Sequence, residues 1–251
     1  REVHIGLVGK YVKLHDAYLS VAEAMSHAGY ELNTFVRIHW IDSENITKEN
    51  VNGILEGLDG IIIPGGFGNR GIEGMIQSAN YARKNQIPYF GICLGMQIAV
   101  IEFARNVLGL KDAHSGEFDE QCEHKVIDFM PGQSEEIDKG GTLRLGSYPC
   151  SIKAGTKLEK CYGNKLIYER HRYEFNNKYR EELMRAGLVV SGTSPDDRLV
   201  ETVELQGHPF FVGVQFHPEF KSRPNRSHPL FKGFISAARV MKCSRIKRKE
   251  E

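Results

Sequence analysis

Two short stretches of the chain carry residue types that can do nucleophilic chemistry. In Gly91-Ile92-Cys93-Leu94-Gly95-Met96-Gln97 a cysteine lies between two glycines. The apolar run Ile87-Pro88-Tyr89-Phe90 before it reads as a buried strand, and Leu94, Ile98, Ile101 and Leu108 after it recur at helical spacing. Cys93 therefore falls where a strand turns sharply into a helix, as the serine of a nucleophile elbow does. A thiol there sits at a helix N-terminus, where the dipole and free N–H groups favour thiolate. A buried structural cysteine fits the same spacing, because free Cys is among the most buried residue types. Gly-x-Cys-x-Gly alone leaves both readings open.

The second stretch is Gln215-Phe216-His217-Pro218-Glu219-Phe220. Three histidines precede proline (His208, His217 and His228), but only His217 has a carboxylate two residues on. Pro218 pushes His217 out of the helical region. In an extended segment residues i and i+2 face the same way, so Glu219 can meet the imidazole and fix its tautomer and orientation. Alone, His-x-Glu also fits a surface turn; beside Cys93 it supplies the base a thiol nucleophile needs.

Acyl transfer to sulfur also needs donors for developing negative charge. The N–H of Leu94, first in its helix, is one. A second could come from Gly65 or Gly66 in Pro64-Gly65-Gly66-Phe67-Gly68, where missing side chains let the backbone approach a ligand. A tight βα turn explains the same run. Gly66 to Gly71 also fits Gly-x-Gly-x-x-Gly, yet the acidic residue expected about twenty positions on is absent. No Gly-x-x-x-x-Gly-Lys-Ser/Thr occurs. His114, Glu117, Cys122 and His124 are metal-ligand types whose spacing fits no established pattern, so no metal is expected. Cys122, Cys150, Cys161 and Cys243 read as structural.

These residues need a scaffold. Strand-like 3–8, helical 16–28 closed by Gly29, strand-like 32–41, a helix capped by Thr47 with Asn50 and running through Leu55, strand 61–63 and helix 72–84 alternate up to the strand before Cys93. Such alternation implies a mostly parallel sheet covered on both faces, with ligands bound outside the carboxyl ends of its strands. The Pro64–Gly71 loop and the Cys93 turn leave consecutive strand ends and should be neighbours. Beyond them, 111–141 is polar, and its Gly132 to Gly141 part reads as a mobile surface loop. Strand candidates at 142–149, 165–170, 187–192, 199–205 and 210–216 look antiparallel, forming an extra sheet or an edge. A helix near 177–186 interrupts them, and a closing helix runs over 229–241. The charged residues 242–251 read as a disordered, solvated tail after one domain over 1–241.

Bulk properties narrow the classes. With 33 Lys+Arg against 32 Asp+Glu the net charge is +1, which gives no overall case for nucleic acid or an anionic membrane as partner. The 5 cysteines are odd in number and include no Cys-x-x-Cys pair, which argues against a disulfide framework and for a reducing, cytoplasmic setting. No apolar run approaches the ~20 residues that span a bilayer. A start at Arg1 rather than Met suggests a piece of a longer protein.

Taken together, Gly-Ile-Cys-Leu-Gly-Met-Gln at 91–97, Pro-Gly-Gly-Phe-Gly at 64–68 and His-Pro-Glu at 217–219 resemble a class I glutamine amidotransferase domain. Arg70 to Met75, Gly140 to Gly146 and Glu169 to Glu174 are similar to the glutaminase domains of the CTP synthase family, and the resemblance runs from about Val3 to about Ala238. It implies a three-layer α/β fold with a mostly parallel central sheet and a small additional antiparallel sheet. It also implies Cys93 as nucleophile, His217 as general base and acid, and Glu219 as the orienting carboxylate. Gly66 and Leu94 would supply the oxyanion donors and line the glutamine pocket with Gly95, Met96 and Gln97. Glu117 would meet the substrate ammonium, and Arg172, or else Arg170, its carboxylate, a pairing that a guanidinium fork suits. Arg70 becomes a candidate for communication between domains. The same resemblance implies no cofactor in this domain. It implies an N-terminal synthetase domain that uses ATP and Mg2+ to aminate UTP, GTP as an allosteric activator, and a homotetramer. Two rival readings remain: a γ-glutamyl peptidase on the same fold, and a non-catalytic module with a decayed site.

Overall fold

The first half of the chain follows the expected alternation, except that its first helix starts at Leu19 and runs through Gly29 to Glu31 rather than stopping at that glycine. The structure, a computed structural model, describes residues 1–66, 68–129, 148–163, 166–169 and 173–251. The elements run β1 (Glu2–Gly9), α1 (Leu19–Glu31), β2 (Phe35–Asp42), α2 (Val51–Leu55), β3 (Gly60–Ile63), α3 (Ile72–Lys84), β4 (Tyr89–Ile92) and α4 (Leu94–Asn106). Thr47 and Asn50 cap each other ahead of α2: Thr47 N–H donates to Asn50 Oδ1 at 2.7 Å and Asn50 N–H to Thr47 Oγ1 at 3.2 Å. The second half runs β5 (His114–Ser115), β6 (Lys125–Phe129), β7 (Tyr148–Ile152), α5 (Lys157–Tyr162), β8 (Leu166–Glu169), β9 (Tyr173–Phe175), α6 (Arg180–Arg185), β10 (Leu188–Thr193), β11 (Val200–Leu205), β12 (Phe211–Val214) and α7 (Pro229–Glu250).

The main sheet has the order β2-β1-β3-β4-β12-β11-β10-β7-β8. Strands β2, β1, β3, β4 and β12 pair in parallel. Strands β11, β10, β7 and β8 continue it by antiparallel pairing. The antiparallel strands therefore form an edge of the main sheet. The separate three-stranded sheet, β5-β6-β9, is mixed, with β5 parallel and β9 antiparallel to β6. The loop expected at Gly132–Gly141 and most of the strand expected at 142–149 lie outside the described residues.

Alternation along each strand sends side chains to two cores, which makes three layers. Val8, Ile61, Ile63, Tyr89 and Phe211 face α2, α3 and α4, while Leu7, Ile62, Phe90 and Val212 face α1 and α7. Helix α4 is buried from Leu94 through Ala104; its stretch is largely apolar, and its one buried carboxylate, Glu102, pairs with Arg83 at 2.8 Å. Tyr89 stacks on Phe211 with centroids 4.5 Å apart, and its hydroxyl donates to the Gly95 carbonyl at 2.6 Å.

The tail differs from its expectation. Helix α7 continues to Glu250, and its cations find partners on the body. Lys242 Nζ donates to the Glu2 carbonyl at 2.5 Å, and Arg245 donates to the Leu58 carbonyl at 3.2 Å and pairs with Asp59. Asp59 has no exposed side-chain surface, and its other oxygen accepts from His4 N–H at 2.8 Å. A buried carboxylate that loses its cation is costly. Arg245→Ala should therefore destabilise the fold by about 3 kcal/mol, read from the urea midpoint at neutral pH. An unchanged midpoint would mean that the His4 N–H satisfies Asp59 alone.

Candidate active site

Three glycines make the turn at Cys93 possible. A Cβ on Gly91 would stand 2.4 Å from the Gly95 carbonyl, and one on Gly95 would stand 2.1 Å from Ile63 O. A Cβ on Gly213 of β12 would stand 3.0 Å from Met96 Cα. With no side chains at these points, α4 packs directly on the sheet and lifts Cys93 between β4 and the helix. Cys93 takes φ 52°, ψ −102°, a backbone conformation that side chains other than glycine rarely adopt. Its N–H is held by Val214 O at 2.7 Å, and its carbonyl accepts from Met96 N–H at 3.1 Å and Gln97 N–H at 3.3 Å. As first residue of α4, Leu94 has no intrahelical acceptor for its own N–H.

The adjacent parallel strand β12 delivers the partner. His217 lies past its end in a non-helical conformation, φ −112°, ψ 84°, ahead of the 3-10 turn Pro218–Lys221. Its Nδ1 lies 2.7 Å from Glu219 Oε1, and its ring hydrogen-bonds Cys93. With Nδ1 engaged by Glu219, Nε2 is the nitrogen left for the thiol. Glu219 is nearly buried, 5 % exposed, against 36 % for the imidazole. Burial acts to lower the His217 pKa; the hydrogen bonds its ring makes to Cys93 and Glu219 outweigh it and raise it from 6.5 to about 10. The stability this adds is complete below pH 6.5 and is lost as pH rises through about 10. The imidazolium form is thus favoured across the neutral range. Gly65 closes the third side: a Cβ there would stand 2.8 Å from His217 Cε1 and 3.5 Å from Cys93 Cβ.

The sequence-derived pocket residues fall around this core. Gly66 lies against Leu94, whose Cδ2 would be 3.5 Å from a Cβ at 66. Gly95 and Met96 are in the first turn of α4, and Gln97 is buried. Glu117 is half-buried in the loop after β5, where Gly116 N–H bonds Ile127 O at 2.8 Å. A Cβ at 116 would stand 2.7 Å from Asp128 Oδ1, so glycine lets this loop close on β6. Arg70 donates to Lys10 O at 2.9 Å, pairs with Glu44 at 3.4 Å and lies over the Tyr11 ring. Arg172 and its alternative Arg170 lie outside the described residues. The metal-ligand types weighed in the sequence do not come together as a set. His124 meets Asp112 and Glu123 instead, and Asp112 Oδ2 is engaged by the N–H groups of Glu123 at 3.0 Å and His124 at 3.3 Å.

Two neighbours escape sequence reasoning. Lys10, just past the carboxyl end of β1, is buried, donates to Gly68 O and sits 5.6 Å from the Phe118 ring centroid. Desolvation lowers its pKa to about 8 and Arg70 pushes the same way, while Glu117 opposes both. Lys10 thereby ties the glycine loop to the loop carrying Glu117. Its only sequence signal is its position after a strand end. Gln215, two residues before His217, reaches the thiol itself.

A thiol raised on a strand–helix elbow, paired with an imidazole–carboxylate from the next parallel strand, defines a class of protein. The family model for glutamine amidotransferase class-I matches residues 13–237. The chain belongs to that family. Within it, the chain is similar to the CTP synthases of Clostridium acetobutylicum (60% identity over 243 residues) and Carboxydothermus hydrogenoformans (63% over 239). These alignments cover 96% and 94% of the chain but 45% of each relative, so the chain spans about half the length of the curated relatives it matches. Among solved structures, the glutaminase domain of Trypanosoma brucei CTPS with bound acivicin is 40% identical, with TM-score 0.88, covering 95% of this chain and 94% of that one. The resemblance to the glutaminase domain of CTP synthase read from the sequence is borne out. A putative GMP synthase subunit from Thermoplasma acidophilum, 15% identical with TM-score 0.58, shares the fold. Among the described residues no helix is long and apolar enough to cross a membrane.

Proposed function

We propose that the chain hydrolyses the side-chain amide of L-glutamine to glutamate and ammonia through a γ-glutamyl thioester on Cys93. The observation that carries this reading is the meeting of Cys93, His217 and Glu219 at two adjacent strand ends. The Cys93 thiolate attacks the amide carbon, and the oxyanion is held by the backbone N–H groups of Gly66 and Leu94. His217, as imidazolium, protonates the amide nitrogen; the C–N bond breaks and ammonia leaves. Neutral His217 then takes a proton from water, whose oxygen attacks the thioester, and glutamate departs as the thiolate is restored. Glu219 holds the ring oriented throughout. Gly95, Met96 and Gln97 wall the glutamine, with Glu117 on its ammonium and Arg172 on its carboxylate.

By similarity to CTP synthases about twice as long, the ammonia goes to a synthetase domain of the same polypeptide. That domain aminates UTP to CTP using ATP with Mg2+. GTP is the allosteric activator, Arg70 is part of the communication between the domains, and the whole enzyme is a homotetramer in the cytoplasm. The glutaminase half needs no cofactor of its own. Comparing glutamate release from free L-glutamine with that from γ-glutamyl dipeptides tests the substrate. Free glutamine should be preferred by at least about 100-fold in kcat/KM: both substrates carry the same α-ammonium and α-carboxylate, but only the dipeptide brings an amino-acid leaving group to the side where glutamine releases ammonia. Equal rates would support a peptidase instead.

A further inference from the structure

The reactive pair does not use one polar side chain that touches it. Gln215 directly follows β12, two residues before His217, and it is 1 % exposed. Its backbone is fixed by a 2.9 Å bond from its N–H to Glu201 O. Its side-chain Nε2 lies 3.6 Å from Cys93 Sγ, within reach of an N–H to sulfur bond, and its Oε1 lies 3.5 Å from Gln97 Nε2. The carboxamide is assigned with Oε1 toward Gln97 Nε2, which leaves its NH2 as the end that faces the sulfur. A buried carboxamide donor aimed at a sulfur stabilises thiolate over thiol, because a hydrogen bond to a charged acceptor is stronger than one to a neutral one.

We propose that Gln215 is a positioning residue for the nucleophile: its amide N–H holds the Cys93 thiolate toward the substrate, while its carbonyl links that thiolate to Gln97 in the wall of the glutamine pocket. The proposal rests on Cys93 being the nucleophile and adds what keeps the thiolate in place. Two donors then reach the sulfur, the His217 ring and the Gln215 amide. Two donors fix a direction where one leaves the side chain free to swing. The chain from Gln97 through Gln215 to Cys93 also runs unbroken from pocket wall to reacting atom. The other titratable groups around it are Glu219 behind His217, Glu201 on the strand beside Gln215, and Lys10 beside Gly66.

The test is the pH profile of Cys93 alkylation by iodoacetamide in the intact protein, followed on the Cys93 peptide by mass spectrometry so that the other cysteines do not contribute. Gln215→Met keeps the side-chain length and removes the donor. Its alkylation midpoint should rise by about one pH unit relative to wild type, with kcat on glutamine falling about tenfold and KM changing less. Gln215→Glu keeps a polar group and places a carboxylate against the sulfur, so its midpoint should rise further. A midpoint within about 0.2 unit of wild type in either variant, with its melting temperature retained, would overturn the assignment. If Gln215→Met fails to fold, Gln215→Glu alone decides. Failure of the nucleophile assignment itself would look different: Cys93→Ala would still hydrolyse glutamine, whatever the Gln215 variants did.

Discussion

Cys93→Ala should lower glutamine hydrolysis by about 10⁴-fold or more while leaving the fold intact. The size of the loss follows from what remains. Without the thiol no thioester forms, and His217 can at best direct a water that the pocket was not built to hold. The backbone donors and the binding residues survive, so a residual acceleration over free solution is expected. The fold should survive because Cys93 is only partly buried at the edge of its core and alanine keeps the Cβ; its positive φ is strained for alanine as it is for cysteine. A control separates catalysis from binding: the variant should still bind L-glutamine, seen as a rise in melting temperature with added glutamine. Retained hydrolysis in this variant would remove Cys93 from the chemistry.

Gly95→Ala should be among the most damaging single-methyl additions in the chain. The new Cβ would stand 2.1 Å from Ile63 O and 3.2 Å from Ile63 Cβ, so backbone on a neighbouring strand must move. Overpacking a core typically costs about 1–3 kcal/mol, and a clash with backbone belongs at or above the upper end. The movement also tilts the first turn of α4, which aims both Cys93 and the Leu94 N–H. A misplacement of about 1 Å can cost about 10²-fold in rate. The expected result is therefore an unfolding free energy lower by about 3 kcal/mol together with a loss of glutaminase activity. Gly53→Ala in α2 is the contrast, because no atom lies within 4 Å of its added Cβ. It should leave activity unchanged and stabilise by about 0.5–1 kcal/mol, as a glycine replaced inside a helix does. If Gly95→Ala were as harmless as Gly53→Ala, the close packing at the elbow would not be what positions the cysteine.

Much of the scaffold could be read from the sequence because its signals are local. Gly9 and the Thr47/Asn50 cap mark element ends, whereas α1 runs through Gly29 to Glu31; the apolar runs at 61–63 and 89–92 are short, as buried strands are. Helix α5 escaped notice even though Thr156 and Glu159 open it with a capping pair, because six residues give too little periodicity. Strands β5 and β9, of 2 and 3 residues, are defined by pairing with β6 and carry no pattern of their own. The tail misled for a different reason. Charge spacing reads as solvated, but the partners of Lys242 and Arg245 are Glu2 and Asp59, far away in sequence. Lys10 and Gly68, and Gln215 and Cys93, are likewise far apart in sequence. Local motifs such as Gly-x-Cys-x-Gly and His-Pro-Glu name the groups proposed to react. The side chains that brace those groups come from elsewhere in the chain.

The central claim is that glutamine becomes covalently attached to Cys93. The most direct measurement is peptide mass spectrometry of the wild-type protein, acid-quenched during steady-state turnover of L-glutamine. A γ-glutamyl adduct on the peptide containing Cys93, absent from Cys93→Ala, is the expected result. Steady glutamine hydrolysis with no adduct at any time, or with the adduct on another residue, would contradict it.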